Sequence, residues 1–183
     1  SLDDAVGALT TVINGYGYET TEANRVSDIL FTTVKNGVTT MTELGSNIGK
    51  VTPIAAQLGV EFEEVGAMFG TLTKSLGKGK TAEAGTGIRA MLNELAKDGQ
   101  KASDAFKEMA GESFPDFIEK GGTVAEALTM MSEEAKRNGK NLNDMFGGIE
   151  AGTAALILSA DGARELTDQF AKMKDATGAT DAA

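Results

Sequence analysis

The sequence contains no cysteine, no histidine and no tryptophan, and only two prolines. Without cysteine there can be no disulfide, no thiolate nucleophile and no zinc site of the usual cysteine type. Without histidine, the commonest general base and the commonest protein metal ligand are missing as well. We therefore expect no catalytic residue, no cofactor or cofactor-binding residue and no metal ligand, and we predict that the chain is not an enzyme.

Excess positive charge and long apolar runs are also lacking. The 17 basic residues are outnumbered by 27 acidic ones, which gives a formal net charge of −10. Proteins that bind duplex DNA normally carry a basic face, so we expect no tight nucleic-acid binding. The longest apolar stretch, 151–160, is interrupted by Gly152, Thr153 and Ser159. It is shorter than the ~18 residues that cross a membrane.

The sequence does contain helical periodicity interrupted by glycine. Hydrophobic residues make up 41% of the 183 residues, and 23 residues are glycine. The clearest amphipathic helix is predicted for 61–76, with one apolar stripe formed by Phe62, Val65, Phe69, Leu72 and Leu76. No stretch alternates as a strand does. We predict an all-α fold, a compact bundle or array of short helices separated by Gly-containing turns.

Capping signals mark several helix starts. Thr40 and Thr123 each precede a glutamate by three residues, as in a capping box, and Thr20 or Thr21 is placed to cap the helix that follows. Thr52 before Pro53 is interpreted as a cap followed by proline in the first turn. Gly15-Tyr16-Gly17 is interpreted as a turn. The last long element is predicted to begin near Asn143 and to reach Lys174, with a break at Asp161-Gly162.

We expect three parts: residues 1–20 as the N-terminal helix of a larger chain, residues 21–160 as a helical core, and residues 161–183 as a C-terminal helix with a frayed tail. The chain opens with Ser1, and its last residues are rich in alanine, threonine and glycine. We therefore expect a segment of a longer polypeptide.

Two short motifs resemble catalytic signatures without completing them. Gly79-Lys80-Thr81 would end a phosphate-binding loop, but Lys74 stands where that motif needs its first glycine, and the preceding segment is helical by period. Ser75 and Lys78 have the Ser-x-x-Lys spacing of penicillin-recognising enzymes, whose companion motifs are missing. We interpret the first as a flexible basic loop between two helices and the second as a chance match.

The acidic residues and the methionines could each have either a functional or a purely structural role. Glu61, Glu63, Glu64 and the pair Glu133 and Glu134 could supply paired carboxylates for glycoside hydrolysis. A catalytic acid needs an apolar cleft to raise its pKa, so we interpret them instead as acids at helix starts, where the helix dipole favours them, or as acids beside Lys136 and Arg137. The methionines are expected to fill the core rather than to form a partner surface.

Several segments, taken in order, resemble the central conserved region of phage tail tape measure proteins. A proline-alanine helix at 51–57 leads into Leu58-Gly59-Val60 and an acidic helix, and a Gly-containing loop is followed by the segment 84–92. The upstream segment 23–30 and the downstream segment 143–158 are also similar. The resemblance covers roughly residues 20 to 160.

The resemblance implies a structural component of a phage or prophage tail, located in the virion and in the host cytoplasm during assembly. Such proteins act in tail length determination, tail assembly and genome delivery. The implied partners are tail tube and tail-tip proteins, tail assembly chaperones and further copies of the same chain. Because glycines interrupt the helices, we expect a folded module, with the rod-like ruler outside this segment.

Two alternatives stay open at this point. The chain could be a tail-associated peptidoglycan hydrolase region, if two carboxylates converge in a cleft. It could also be a membrane-active helical module that uses 149–160 as an insertion segment, so membrane contact is left undecided.

Overall fold

The computed structural model describes residues 1–159 and 161–176, and this part of the chain contains eleven α-helices and no β-strand. The predicted all-α class is therefore confirmed. The helices are α1 (Leu2–Tyr16), α2 (Ala23–Asn36), α3 (Met41–Asn47), α4 (Thr52–Leu58), α5 (Phe62–Leu76), α6 (Thr81–Ala96), α7 (Lys101–Ala110), α8 (Phe114–Glu119), α9 (Val124–Arg137), α10 (Ile149–Leu158) and α11 (Asp161–Lys174). Three short 3-10 helices also occur, at Thr20–Glu22, Ile48–Lys50 and Leu142–Met145.

Helix α5 forms the centre of the array. It contacts α2, α4, α6, α10 and α11, and eleven of its 15 residues are buried. The sequence predicted a single apolar stripe on this helix, which is too narrow. Met68 and Ala67, off that stripe, are as buried as Phe69 on it. A helix that is covered on most sides buries residues beyond a single stripe.

Two glycines explain how several helices can approach α5 so closely. A Cβ atom at Gly66 would lie 2.7 Å from the Thr33 hydroxyl oxygen on α2. A Cβ atom at Gly70 would collide with the side-chain amide of Gln169 on α11. The absence of side chains at these positions therefore lets α2 and α11 pack directly on the α5 backbone.

Two of the predicted threonine caps form and the cap predicted at Thr20 or Thr21 does not. The Thr40 and Thr123 hydroxyls accept the backbone N–H groups of Glu43 and Glu126, each at 3.1 Å, as predicted. The other half of each capping box does not form, because the glutamate carboxylates accept from the threonine hydroxyls instead. Thr20 and Thr21 do not cap α2, because they lie within a 3-10 helix and no side chain caps the α2 N-terminus.

Two boundaries near α1 and α4 also differ from the prediction. Thr52 belongs to α4 itself and is buried next to Gly15 of α1, so it packs between helices instead of capping one. Of the three residues in the predicted turn Gly15-Tyr16-Gly17, only Gly17 lies outside a helix. Helix α1 continues to Tyr16 and ends at Gly17, which adopts the left-handed conformation.

The predicted last long element is two helices. Helix α10 begins at Ile149 and ends at Leu158, and α11 begins at Asp161, so Asp161 starts a helix where a break was predicted. Residues 160 and 177–183, including the predicted frayed tail, lie outside the described residues.

One hydrophobic core runs through the described chain, from Ala8 on α1 to Met173 on α11. Both Ala8 and Met173 therefore contribute to the same buried cluster as the central helices. The division into parts 1–20, 21–160 and 161–183 stays a prediction. None of the described helices is long and apolar enough to cross a membrane.

Candidate functional site

The three acids at the start of α5 contact three different helices. Glu61 pairs with Lys174 of α11, with 3.4 Å between the charged atoms. Glu63 accepts a hydrogen bond of 2.8 Å from Arg25 of α2. Glu64 reaches the N-terminus of α9. These carboxylates therefore do not converge as a catalytic pair would.

Glu64 is the charged side chain that the sequence analysis placed wrongly. It lies in the first turn of a helix, as predicted, but it was placed outside any apolar cleft, and only 2% of it is exposed. Its two carboxylate oxygens accept the backbone N–H groups of Val124 at 2.9 Å and Ala125 at 3.0 Å. These N–H groups belong to the first turn of α9, where no partner exists within the helix. Glu64 therefore caps a helix 60 residues further along the chain.

The surroundings of Glu64 change its acidity. Burial raises the pKa of this carboxyl from its usual 4.5 to about 7, and the nearby charges of Glu61 and Glu126 add to the increase. The two backbone hydrogen bonds act in the opposite direction, because they favour the ionised form. A raised carboxyl pKa can mark a catalytic acid, but both oxygens of Glu64 are already occupied by backbone donors.

Glu94 of α6 repeats this arrangement at a second helix. Its carboxylate accepts the backbone N–H groups of Gly147 and Gly148, each at 2.8 Å. Gly148 is the residue immediately before α10, and no side chain of its own can cap that helix. Glu94 is 9% exposed, so its carboxylate is less enclosed than that of Glu64.

An aromatic cluster joins α1 to α5. The Tyr16 hydroxyl donates a 2.7 Å hydrogen bond to the Val60 carbonyl, and burial raises the pKa of this phenol. The Tyr16 ring stacks on the Tyr18 ring at a centroid distance of 4.9 Å, and the Arg25 guanidinium lies 4.8 Å from the Tyr18 centroid. Each polar group in the cluster has a protein partner, so we assign it a structural role.

The two incomplete signature motifs lie apart from any converging set of polar groups. Thr81 is buried at the start of α6, and its hydroxyl is 2.7 Å from that of Thr39. The segment before it is helix α5, where a phosphate-binding loop needs a strand. Ser75 and Lys78 are both exposed to solvent.

The remaining candidate groups have ordinary surroundings. Glu133 is exposed, and Glu134 pairs with Arg137 at 2.6 Å. Within residues 1–159 and 161–176, no group of three or more acidic side chains is placed to hold a metal ion. Four methionines are buried in the core, as predicted: Met68, Met91, Met131 and Met173. The other four are only partly buried: Met41, Met109, Met130 and Met145.

The family model of phage-related minor tail proteins matches residues 1–156. The chain belongs to this family. The match includes both carboxylate caps, since Glu64, Glu94 and the helix starts that they bind all lie before residue 156.

Three relatives of this chain carry a more specific name. It is 35% identical over 94% of its length to a protein of Clostridium phage phiCD119 named probable tape measure protein. It is 23% identical over 98% of its length to the probable tape measure protein of Escherichia phage P2. It is 25% identical over 88% of its length to the tape measure protein of Pneumococcus phage Dp-1. The resemblance inferred from the ordered motifs is therefore confirmed.

The chain spans only 19%, 23% and 16% of the lengths of these three relatives. No solved structure matches it.

Sequence reasoning missed both carboxylate caps in this family member. A signal for Glu64 was present, because Met68 and Leu72 follow it at four and eight residues and share its side of the helix. An acid in line with two apolar residues is expected to be buried, and a buried acid needs donors. Nothing in the local sequence identifies those donors, since they belong to residues 60 and 61 positions away.

Proposed function

We propose that this chain is a folded helical segment of a phage or prophage tape measure protein. Its similarity, over nearly its whole length, to three proteins with that name supports this proposal. The segment would contribute to tail length determination, tail assembly and genome delivery. It would be located in the tail of the virion, and in the host cytoplasm while tails assemble. Its partners would be tail tube and tail-tip proteins, assembly chaperones and further copies of itself.

Within such a protein, the segment would act as a module and not as a length of the ruler. A continuous helix advances about 1.5 Å per residue, so 183 residues would measure roughly 270 Å. The longest described helix, α6, has 16 residues and covers only about 24 Å by the same rise. The helices share one core. A compact array of this kind is suited to making contacts at one place along a tail.

We do not assign bond-making chemistry to the segment. Glu64 and Glu94 are its two buried glutamates, and each already accepts two backbone N–H groups. Incubation of the purified chain with peptidoglycan tests directly whether it has hydrolase activity. Release of glycan fragments by the wild-type chain, lost on Glu64→Gln, would contradict our assignment.

The module proposal is tested in a phage whose tape measure gene encodes this chain. Phe69 is fully buried on α5, so Phe69→Asp places a charge in the core without changing the chain length. We expect this substitution to reduce the yield of complete tails at least tenfold in electron micrographs of lysates. Ser75→Asp, on the exposed end of the same helix, is the matched control and should leave the yield unchanged.

In-frame deletion of the 183 residues provides the second comparison. We expect the same loss of tails as for Phe69→Asp, because both changes remove the module. If the deletion instead gives infectious particles with tails shortened by roughly 270 Å, and Phe69→Asp gives tails of normal length, the segment is part of the ruler and the module proposal is wrong.

A further inference from the structure

A groove between α4 and α6 combines charged, amide and apolar side chains. Its volume is about 310 Å³, and its walls come from both helices and from the 3-10 helix before α4. Two of its side chains are positively charged, two are amides and two are apolar: Lys50, Arg89, Gln57, Asn93, Pro53 and Ile54. None of the described residues that line it is acidic, although the chain as a whole carries −10.

The groove is long enough for a short extended peptide. Its wall on the α4 side reaches from Lys50 to Gln57, along almost continuously helical backbone. At a rise of about 1.5 Å per residue these two positions lie roughly 10 Å apart. An extended chain advances about 3.3 Å per residue, so about three residues of a partner can lie along the groove.

The Lys50 ammonium is held at the α6 wall without being neutralised. Its Nζ atom lies 3.4 Å from the Ala82 carbonyl oxygen and 3.4 Å from the Thr86 hydroxyl oxygen. Its stem passes over Gly85, where a Cβ atom would lie 3.5 Å from the Lys50 Cδ atom. Both oxygens are neutral, so they orient the ammonium while its full positive charge remains.

Arg89 lies on the exposed side of α6 and has no partner in the described part of the chain. Arg25 and Arg137, by contrast, each pair with a glutamate three residues earlier, at 2.7 and 2.6 Å. Thr86 occupies that position before Arg89, and no acid stands four residues before it or three or four residues after it. Its planar guanidinium matches the geometry of a carboxylate, so it can bind an acid from outside the chain.

The segments that form the groove exclude acidic residues over a wider range than its lining. Residues 44–60 and 84–93 contain no aspartate or glutamate, and Lys50 and Arg89 are their only charged residues. Each of the four acids at the borders of these segments contacts a partner outside the groove: Glu43, Glu61, Glu83 and Glu94. The groove is therefore a positively charged patch on an acidic protein.

We propose that this groove binds a short acidic segment of another protein. One carboxylate of the segment pairs with the Arg89 guanidinium, and a second lies beside the Lys50 ammonium. The Gln57 and Asn93 amides can hydrogen-bond the peptide backbone of the segment. Peptide binding by the purified chain does not depend on the tail function proposed above, so the two proposals can fail separately.

The net charge of the chain favours a short segment over a longer polyanion. At physiological ionic strength, exposed charges interact over only about 8 Å. A segment of about three residues is therefore affected mainly by Lys50 and Arg89. Duplex DNA would extend beyond the groove and meet the rest of a chain in which acidic residues outnumber basic ones, 27 to 17.

Fluorescence anisotropy with two labelled peptides tests the binding. The first peptide, of about eight residues, alternates glutamate with leucine, and the second has glutamine in place of each glutamate. We expect the purified chain to bind the glutamate peptide with a Kd roughly tenfold or more below that for the glutamine peptide. Equal affinity for both peptides, or no saturable binding of the glutamate peptide up to about 1 mM, overturns the proposal.

Charge reversal tests whether the two basic residues of the groove are responsible. We expect Arg89→Glu and Lys50→Glu each to raise the Kd for the glutamate peptide roughly tenfold or more. Lys136→Glu is the matched control, since Lys136 is exposed on α9, which packs on α7, α10 and α11. It makes the same change in net charge and should alter the Kd less than about twofold. A control that weakens binding as much as Arg89→Glu contradicts binding in this groove.

Nuclear magnetic resonance locates the peptide independently of any variant. We expect the backbone amide shifts that change on addition of the glutamate peptide to cluster in residues 49–57 and 86–93. Shift changes that cluster in another part of the chain overturn the proposal. Circular dichroism of each variant establishes that loss of binding is not loss of the fold.

Duplex DNA is the competing occupant. A labelled duplex of about 20 base pairs, titrated at physiological salt with the same variants, measures its binding. We expect the wild-type chain not to bind it. Binding of the duplex that is tighter than that of the glutamate peptide, lost in Arg89→Glu and kept in Lys136→Glu, overturns the assignment to an acidic peptide.

Discussion

Glu64 on α5 and Glu94 on α6 use the same chemistry in two different surroundings. Each carboxylate accepts two backbone N–H groups at the start of a helix 53 to 61 residues downstream. The donors of Glu64 are Val124 and Ala125, which are themselves buried. The donors of Glu94 are Gly147 and Gly148, which are exposed to solvent.

We expect burial of the donors, and not the number of hydrogen bonds, to set how much each cap stabilises the fold. When a partner is lost, a buried N–H group keeps its full desolvation cost, whereas an exposed one can bind water instead. Helix α9 also has a local cap from Thr123, and α10 has none. If only the number of caps mattered, loss of Glu94 would destabilise the fold more, because α9 keeps Thr123 when Glu64 is lost. Burial of the donors predicts the opposite, a larger loss of stability for Glu64.

Glu64→Ala should have the largest effect on stability. It leaves the N–H groups of Val124 and Ala125 buried without acceptors, and we expect the free energy of unfolding to fall by about 3 kcal/mol. Urea denaturation followed by circular dichroism measures the change. Glu133→Ala, which removes an exposed acid, is the control and should cost less than about 0.5 kcal/mol. A loss of that small size for Glu64→Ala as well would contradict the burial argument.

The dependence of stability on pH should show the second largest effect. The pKa of Glu64 is about 7 in the folded chain and near 4.5 when unfolded, so between these values the folded state binds more protons. Stability from this group therefore decreases as the pH rises, by about 2 kcal/mol between pH 5 and pH 7.

Glu64→Gln removes this titration while keeping one acceptor oxygen. The free energies of unfolding of the wild type and Glu64→Gln, measured by urea denaturation at several pH values, should therefore differ by a pH-dependent amount. Acids such as Glu165, whose pKa is lowered by Lys74 and Gln169, contribute equally to both proteins and cancel. If the difference between the two curves stays constant from pH 5 to pH 7, Glu64 does not titrate there.

Glu94→Ala should have the smallest of the three effects. Water can reach the N–H groups of Gly147 and Gly148, so we expect a loss of about 1 kcal/mol, similar to that of an ordinary helix cap. Native-state hydrogen exchange locates the effect, which should be greatest in α10. A loss for Glu94→Ala that equals or exceeds the loss for Glu64→Ala would reverse the ranking and favour the count of caps.

Local signals in the sequence predicted the helix starts and ends that depend only on neighbouring residues. Thr40 and Thr123 cap their helices because a threonine and the backbone three residues later are always close at a helix start. Gly59 and Gly111 end α4 and α7 in the left-handed conformation that glycine adopts easily. Thr52 had a similar pattern but was buried instead, because α1 packs over it through Gly15.

The periodicity of apolar residues was less informative for α5 and α10. On α5 it predicted one buried stripe, but Gly66 and Gly70 allow helices to cover the other sides as well. On α10 aliphatic and small residues occur all round, so period alone could not select the inner face. Close packing on Gly87 selected the alanine and glycine side and left Ile149 and Leu156 outside.

The sequence by itself determined the helical class, many of the helix ends and the lack of histidine and cysteine chemistry. These properties depend on composition and on contacts within a few residues of the chain. Only the tertiary structure decided that Glu64 is buried, which helix it caps and which side of α10 faces outward. Those outcomes depend on backbone groups and helix faces that are brought together from more than fifty residues apart, and no local pattern encodes that distance.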